Sequence, residues 1–250
     1  MFKTIKGLVL KRRRFGEAHA YITVITESGL MTFTAYGVMS PKSKSFASCQ
    51  PYTLAEFVLT AKGDSLTLSQ ASTISHLIKQ GIDFERLSLA NYISSMASET
   101  TFAEEDAPAI YSLTCTALSL TDRSDAPSEI IKAVFELRLT SALGFYPDFS
   151  SCIYCGRTPD GGVFIHSEGG VVCKACLLPE GVQGVSVSRA LLTALEHMLS
   201  LPDAKAFGIR FSDPVALNAF CTLAERFSAE HLDCATSALT YYKQNLKNFN

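Results

Sequence analysis

The sequence lacks any apolar run near the length of about 18 residues that a membrane-spanning helix needs. Its first residues, Met1–Gly7, also lack the apolar core of a secretory signal peptide. We therefore expect a protein with no membrane partner that stays in the reducing cytoplasm. There the eight cysteines would remain thiols or bind metal rather than form disulfides.

Sequence motifs of nucleophilic and phosphate chemistry are missing as well. There is no Ser/His/Asp order, no Gly-x-Ser-x-Gly elbow and no glycine loop that would cradle a phosphate. The five histidines lack partners at metal-ligand spacing or lie in helical patterns, where packing is the commoner role. The sequence therefore predicts a protein that is not an enzyme.

Charge is divided unevenly along the 250 residues, although the net charge is only −2. Residues 1–80 contain ten Lys or Arg against four Asp or Glu, a net charge of +6, and the remainder carries −8. A basic N-terminal domain on an acidic body is typical of a protein that contacts a polyanion.

The N-terminal third alternates apolar and polar residues with period two, which predicts β-strands. Turn residues separate five such segments, and the link between the third and fourth is the longest. The predicted strands are 5–10, 20–25, 30–36, 52–59 and 66–69. Five short strands with this spacing favour an OB-fold Greek-key barrel over residues 1–80, and an SH3-like barrel is the alternative.

Basic residues of the predicted barrel concentrate in two places. One is the run Lys11-Arg12-Arg13-Arg14, predicted to lie between the first two strands, and the other is Lys42-Ser-Lys44 after the third strand. In an OB-fold, single strands usually lie on the loop after strand one and on the face of strands two and three. The candidate DNA contacts are Lys6, Lys11, Arg12, Arg13, Arg14, Lys42 and Lys44. The nearby aromatics Phe15, Tyr21, Phe33 and Tyr36 either stack on bases or pack in the core.

The period changes to helical after residue 80, which predicts an all-α domain over residues 81–250. The first helix starts behind an Asp83 cap, the second has Pro108 in its first turn, and the third runs from Ser128 to a stop at Gly144. Later helices start at Ser188 and at Asp213-Pro214, and a last one covers about 237–246.

Two Cys-x2-Cys pairs, separated by seventeen residues, interrupt this helical region at about 150–178. Cys152, Cys155, Cys173 and Cys176 fit a closed four-thiolate zinc site, which predicts one structural Zn²⁺ per chain. The apolar segments 163–165 and 171–172 flank a short turn and predict a zinc-ribbon-like hairpin. The other four cysteines, Cys49, Cys115, Cys221 and Cys234, are expected to be buried free thiols.

Other roles for the two cysteine pairs fit less well. Disulfides need an oxidising compartment, and a redox Cys-x2-Cys needs a strand before it and a helix carrying it. His166 and Glu168 resemble part of a zinc deaminase motif, but their spacing to the second pair differs, and Cys152 and Cys155 would be unused. Four thiolates leave no coordination position open for water, so the predicted metal is structural.

Several of these segments, in this order, resemble the RecO family of bacterial DNA-repair recombination mediators. The resemblance covers essentially the whole chain, and its most specific part is the helix-to-zinc junction followed by the cysteine pairs. The matching segments are Gly7–Leu10, Tyr36-Gly37 with Lys42–Ser45 and Pro51, Phe135–Leu139, Leu143–Pro147, and the two Cys-x2-Cys pairs.

The resemblance implies an OB-fold domain, a helical domain and a non-catalytic, nucleoid-associated role. Members of the family bind single- and double-stranded DNA, anneal complementary strands, contact the acidic C-terminal tail of single-strand-binding protein, and act with RecR in loading RecA. Two features depart from the family: Leu177 replaces a glycine after the second cysteine pair, and the C-terminal domain is acidic. The alternative hypothesis is a protein-interaction scaffold with incidental DNA contact.

Overall fold

The computed structural model describes residues 2–78, 81–100, 102–123, 125–178 and 183–247. The chain forms two compact units, one of Met1–Arg123 with Ala238–Asn250 and one of Ser124–Ser237. The predicted boundary near residue 80 falls on residues 79–80, which lie outside the described residues. The division into domains 1–80 and 81–250 stays a prediction about which segments fold by themselves.

Five strands close a barrel in the first unit, in the order β1-β2-β3-β5-β4. A single parallel pairing, Thr34 opposite Thr67, joins β3 to β5. This five-stranded OB-like barrel confirms the predicted fold class. Its strands are β1 (Phe2–Phe15), β2 (His19–Thr26), β3 (Gly29–Ala35), β4 (Thr53–Lys62) and β5 (Ser65–His76).

The barrel encloses a core of alternating side chains, as period-two patterning requires. Phe33 and Phe57 meet in it with ring centroids 5.1 Å apart. The segment between β3 and β4 also contributes, through Val38 and Cys49. Core residues shared by the strands are Val9, Ala20, Ile22, Val24, Phe33, Ala35, Ala55, Phe57 and Leu59.

The basic run Lys11–Arg14 is not the loop that the sequence predicts, because β1 continues through it to Phe15. The run pairs with β2 as far as Phe15 opposite His19. A β-bulge between Val9 and Lys11 precedes this extension, and Gly16, with φ +56°, begins the turn. Strand pairing outweighs the low strand propensity of a charged run, since each residue gains ladder hydrogen bonds.

Two helices of the first unit, α1 (Phe84–Glu99) and α2 (Ala107–Arg123), pack against the barrel strands. The Asp83 carboxylate accepts a hydrogen bond of 2.9 Å from the backbone N–H of Arg86, which confirms the predicted cap. Tyr52 of the barrel donates its hydroxyl to Asn91 Oδ1 at 2.7 Å. Because the N–H of Tyr52 also donates to the carbonyl of Val9 in β1 at 2.8 Å, the bond to Asn91 holds α1 close to β1.

The second unit combines helices with a small sheet. Its helices are α3 (Ser128–Ala142), α4 (Arg189–Ser200), α5 (Asp203–Ala206) and α6 (Pro214–His231), and α7 (Asp233–Lys247) begins in it. Its strands are β6 (Asp148–Cys152), β7 (Gly162–Ile165), β8 (Gly170–Cys173) and β9 (Val185–Val187). Ser188 and Asp213 cap α4 and α6, as predicted.

The predicted hairpin is β7–β8, and the structure extends it to four strands in the order β6-β8-β7-β9. The domain predicted as all-α with an inserted hairpin therefore holds a larger sheet. The added strands are short, and β9 has only three residues. Runs of that length carry too little periodicity to be recognised from sequence.

Helix α3 is the centre of the second unit and explains the sequence segment Phe135–Leu139. Phe135, Leu137 and Leu139 are fully buried. Glu136 forms an ion pair of 2.7 Å with Lys132. Arg138 donates to the carbonyl of Leu201 at 2.8 Å and pairs with Asp203 at 2.9 Å, so this helix also holds the end of α4.

Within the part of the chain that the structure describes, no helix is both long enough and apolar enough to cross a bilayer.

Candidate functional site

Parallel pairing of β6 with β8 brings the two cysteine pairs together. Asp148 lies opposite Gly170 and Cys152 opposite Val171, so β6 bulges outward between them. The Asp148 carboxylate holds this bulge by accepting hydrogen bonds from the backbone N–H groups of Ser150 at 2.8 Å and Ser151 at 3.3 Å. Because parallel strands end at the same edge, both cysteine pairs begin there.

The first pair closes a tight turn after β6. The N–H of Gly156 donates to the carbonyl of Cys152 at 2.8 Å, and Gly156 has φ +69°. A residue with a Cβ is disfavoured in this left-handed conformation. The glycine that follows the first pair is therefore required by the backbone.

The second pair is built differently, which explains why it needs no glycine. Lys174–Cys176 form a single 3-10 turn, and Leu177 follows in an extended conformation with φ −68°. Any L-residue adopts these angles without strain. The departure at Leu177 from the family pattern leaves the turn around the cysteines intact.

The four sulfur atoms lie within 4.8 Å of one another. Cys155 Sγ and Cys173 Sγ are 3.8 Å apart, and all four are free thiols. Sulfurs about 2.3 Å from a zinc ion at the corners of a tetrahedron are separated by about 3.8 Å. The geometry therefore fits a metal held by Cys152, Cys155, Cys173 and Cys176.

Backbone donors prepare the most buried of these sulfurs to bind a cation. The N–H of Cys173 points at Cys152 Sγ at 3.4 Å. Burial raises the pKa of Cys152, but hydrogen bonds from the backbone of Cys173, Cys155 and Tyr154 outweigh it and lower that pKa to about 6. The thiolate is the form that binds metal.

His166 and Glu168 do not join the cysteines. Among the described residues, the four cysteines alone form a group of side chains that could hold a metal. His166 lies beside Phe164, with ring centroids 6.0 Å apart. Of the remaining cysteines Cys49 is buried as predicted, whereas Cys115, Cys221 and Cys234 are partly exposed.

The candidate nucleic-acid contacts on β1 are divided between the two faces of the strand. Arg12 is opposite Ile22 and Arg14 opposite Ala20, both core residues. Since side chains alternate, the intervening positions of β1 face outward. Lys11, Arg13 and Phe15 therefore share this face with their β2 partners Thr23, Tyr21 and His19.

Four rings form a cluster on this face, which we call the aromatic cluster: Phe15, His19, Tyr21 and Tyr36. Phe15 stacks on Tyr21 at 4.4 Å, and His19 meets Tyr36 edge to face at 5.2 Å. Tyr36 is 64% exposed. Of the aromatics predicted to stack or pack, Phe33 belongs to the core and the other three belong to this cluster.

His19 is a member of the aromatic cluster that no sequence pattern indicates. Its Nδ1 accepts a hydrogen bond of 2.9 Å from the N–H of Gly37. That bond ties the start of β2 to the segment after β3. Only strand pairing, which places His19 opposite Phe15, could have identified it.

The predicted cations differ in how they are held. The guanidinium of Arg13 lies 5.3 Å from the centre of the Tyr21 ring. Arg12 lies 5.3 Å from the Phe46 ring, and burial lowers its pKa. Arg14 donates to the carbonyl of Glu17. Lys11 forms an ion pair of 2.6 Å with Glu99.

Lys42 and Lys44 are exposed in the segment between β3 and β4. This segment is tied to the same end of the barrel, because the N–H of Met39 donates to the carbonyl of Ala18 at 2.9 Å. Lys6 lies apart from the others, opposite Glu56 of β4. Six of the seven predicted cations thus surround one end of β1, and Lys6 does not.

Two protein-family models match this chain. A model described as the N-terminal region of recombination protein O matches residues 1–77, and one for its C-terminal region matches residues 82–235. The chain belongs to the RecO family. The resemblance inferred from the sequence is thereby confirmed.

Curated relatives of the RecO family match over nearly their full length. A DNA repair protein RecO from Acetivibrio thermocellus is 29% identical over 241 residues, which cover 95% of this chain and 94% of that protein. One from Alkaliphilus metalliredigens is 28% identical over 232 residues, with 91% and 93% covered. A third, from Symbiobacterium thermophilum, is 28% identical over 217 residues, with 85% of each chain covered.

Proposed function

We propose that this protein is a non-catalytic mediator of DNA repair and homologous recombination. It binds single- and double-stranded DNA, anneals complementary strands, and helps to load a RecA-type recombinase onto DNA coated with single-strand-binding protein. The observation that carries the proposal is the gathering of cations and partly exposed rings at one end of the barrel in a RecO-family chain. Such a protein would act in the cytoplasm, at the nucleoid.

The outer face of β1–β3 has the chemistry of a single-strand site. Arg13, Lys42 and Lys44 would contact phosphates, and the aromatic cluster would stack on unpaired bases. Stacking contributes about 1–3 kcal/mol per base and tolerates any sequence. Thr23 and Thr32 lie opposite each other on this face, with their hydroxyl oxygens 3.1 Å apart. This part of the face therefore carries no charge of its own.

The first experiment is a salt titration of fluorescently labelled oligonucleotides, single-stranded and duplex, followed by anisotropy. About six phosphate contacts on a single strand give a log–log slope of roughly −4. We expect a triple variant, Arg13→Glu, Lys42→Glu and Lys44→Glu, to lose most of the affinity and about half of the slope, because three of the six contacts are removed. An absence of salt dependence would refute the DNA-binding site.

A matched control reverses the same number of exposed charges elsewhere. Lys62, Lys205 and Lys247 are exposed, and Lys62 ends β4 near the pairing of Thr60 with Phe2, at the far end of β1. Changing these three to glutamate gives the same change of net charge. Equal losses in both triple variants would mean that only overall charge matters.

The metal proposed for the cysteine site is one Zn²⁺ per chain, with a structural role. When bound, the ion would cross-link the turn after β6 to the turn after β8, and four cysteine ligands leave no position for a water. Elemental analysis of protein purified without chelator should give about one zinc per chain. Less than about 0.2 equivalents of any metal would contradict the proposal.

A scaffold role has separate support from exposed apolar side chains at both ends of β6, two of which, Ile153 and Tyr154, lie within the first cysteine pair. Tyr146 and Tyr154 are 64% and 63% exposed, and Phe145 and Ile153 are also exposed. Proposed protein partners are RecR and the acidic tail of single-strand-binding protein, with RecA linked functionally. A pull-down with the tail peptide as bait and the triple variant as prey would separate partner binding from DNA binding, because that variant should bind DNA poorly.

A further inference from the structure

The last turn of α1 places an acid beside the proposed DNA face. Glu99 Oε1 lies 2.6 Å from Lys11 Nζ, although 88 residues separate the two in sequence. Both side chains are partly exposed, 44% for Lys11 and 39% for Glu99. DNA bound along β1 would therefore meet a lysine that already has an anionic partner.

Two further features strengthen this pair beyond an ordinary surface contact. Ser95, one turn earlier, donates its hydroxyl to the same Glu99 oxygen at 2.9 Å. The last turn of α1 contains no basic residue, so Lys11 of β1 supplies the cation that the negative end of a helix dipole favours. Burial raises the pKa of Glu99, but the bonds from Lys11 and Ser95 together lower it by more, so the carboxylate stays charged.

We propose that Glu99 competes with DNA phosphate for Lys11 and thereby limits the contribution of Lys11 to DNA binding. This inference rests on the proposed DNA-binding function and assigns a regulator of affinity to the same face. Glu99 acts through Lys11 as a positioning residue. Neighbouring Arg13 is held by Tyr21 instead of an acid and stays available to phosphate.

The two competing effects are similar in size. A phosphate contact on a single strand contributes about 0.7 to the log–log salt slope, which is a factor of about five at 0.1 M salt. An exposed ion pair at the strong end of its usual range is likewise worth a factor of about five. The free energy needed to break the ion pair therefore cancels most of the binding free energy that Lys11 gains from a phosphate contact.

A double-mutant cycle on the full-length protein tests this inference. The four proteins are wild type, Lys11→Gln, Glu99→Gln and the double variant, titrated with a labelled single strand at several salt concentrations. We expect Lys11→Gln to lower affinity less than twofold in the wild type and about fivefold in the Glu99→Gln background. Glu99→Gln alone should raise affinity about threefold to fivefold and steepen the slope by about 0.7.

Asp64→Asn provides the matched control, since it removes one exposed negative charge from the turn after β4. That turn lies beyond the pairing of Thr60 with Phe2, at the opposite end of β1 from Phe15. Thermal unfolding of each variant checks that the first unit remains folded when the ion pair is removed. We expect Asp64→Asn to change affinity less than Glu99→Gln.

Each outcome decides between the hypotheses. Equal effects of Lys11→Gln in both backgrounds would overturn the competition while leaving DNA binding in place. An equal gain from Asp64→Asn would assign the effect to net charge and would also overturn it. No measurable DNA binding by any of the four proteins would overturn the proposed function and the competition together.

Discussion

The barrel and the cysteine-bearing sheet order short strands by different means. The barrel has five strands of seven to fourteen residues that close on themselves around apolar side chains. The sheet has strands of three to five residues, and four sulfurs lie where two of these strands, β6 and β8, end. A closed barrel leaves no free edge, whereas a short open sheet needs another source of order.

This difference indicates that the two regions have different sources of stability. The barrel can present charged and aromatic side chains because its stability comes from the opposite face of each strand. The sheet buries Val171 and Val172 completely, but strands this short bury little area. The first prediction therefore concerns the metal.

We expect Cys173→Ser to have the largest effect. Loss of one ligand should release the metal and destabilise the second unit by more than about 4 kcal/mol, because structural zinc contributes about 10–16 kcal/mol in small domains. Hydrogen exchange of β6–β8 and metal content measure the result. Affinity of the barrel for DNA should change less than twofold.

Cys234→Ser is the control for this prediction, because Cys234 is not one of the four clustered cysteines and is remote in sequence from the two pairs. It should retain the metal and the protection of the sheet. Full protection of β6–β8 in metal-free Cys173→Ser would show that apolar packing alone orders the sheet. The contrast between the two regions would then disappear.

The parts of both regions that depend on local signals are predictable from the sequence. The caps at Asp83, Ser188 and Asp213 were predictable because a short polar side chain before an apolar pattern bonds to the first turn. The cysteine ligand set followed from spacing. The OB-like barrel followed from period-two alternation, although the end of β1 did not, since a run of four basic residues resembles a loop.

What remained hidden depends on pairing between distant segments. Nothing in the sequence shows that β6 runs parallel to β8, since only Asp148 and Cys152 have partners there. The ion pair between Lys11 and Glu99 and the place of His19 beside Phe15 also follow from tertiary contacts. Periodicity assigns a side chain to a face but not to its neighbours on that face.

A second prediction compares the two faces of the barrel. Phe33→Ala should destabilise the first unit by about 3–5 kcal/mol, the usual cost of removing a buried aromatic side chain. Tyr36→Ala should cost less than about 1 kcal/mol of stability, because Tyr36 is largely exposed, but should weaken single-strand binding by about 1–3 kcal/mol. Urea unfolding and anisotropy measure the two effects.

An unchanged affinity of Tyr36→Ala for single strands would remove the aromatic cluster from the DNA site. Retention of affinity by Tyr36→Phe is the control, since the ring is kept and the hydroxyl removed. A large loss of stability in Tyr36→Ala would instead show that the exposed rings support the barrel. The separation of stabilising and binding faces would then be wrong.

The third prediction tests whether helix packing in the second unit depends on charge. Lys132 of α3 pairs with Glu136 of the same helix at 2.7 Å and with Glu225 of α6 at 3.1 Å. Lys132→Met should destabilise this unit by about 3 kcal/mol, because it leaves the Glu136 carboxylate buried without its cation. Urea unfolding followed by circular dichroism measures the loss.

The double variant Lys132→Met with Glu136→Met should recover part of this stability, since no buried charge remains on α3. A double variant less stable than the single one would mean that the pair itself stabilises the helices. Metal content should stay at the wild-type level in both variants. Loss of metal from either would link the helix core to the sheet more closely than we infer.

The smallest expected effect is a pH dependence on the side of the sheet away from the metal. Burial lowers the pKa of His166, Arg226 lowers it further, and Glu230 opposes them. The carbonyl of His166 lies 2.9 Å from His231 Nε2 of α6. Because the folded pKa is depressed, the unfolded chain binds the proton more readily, and stability is complete above about pH 6.5 and falls as the pH decreases below it.

We therefore expect the second unit to lose stability between about pH 7.5 and pH 5.5, and His166→Gln to lose less over the same range. Urea unfolding at matched ionic strength measures both, and His197→Gln, on an exposed position of α4, serves as the control. Cys152, whose pKa is lowered to about 6, contributes equally in the three proteins, so the difference between variants isolates His166. Identical pH profiles would mean that His166 does not carry the pH dependence of this region, and the acid sensitivity of the sheet would then have to come from its other ionisable groups, Cys152 at the metal end among them.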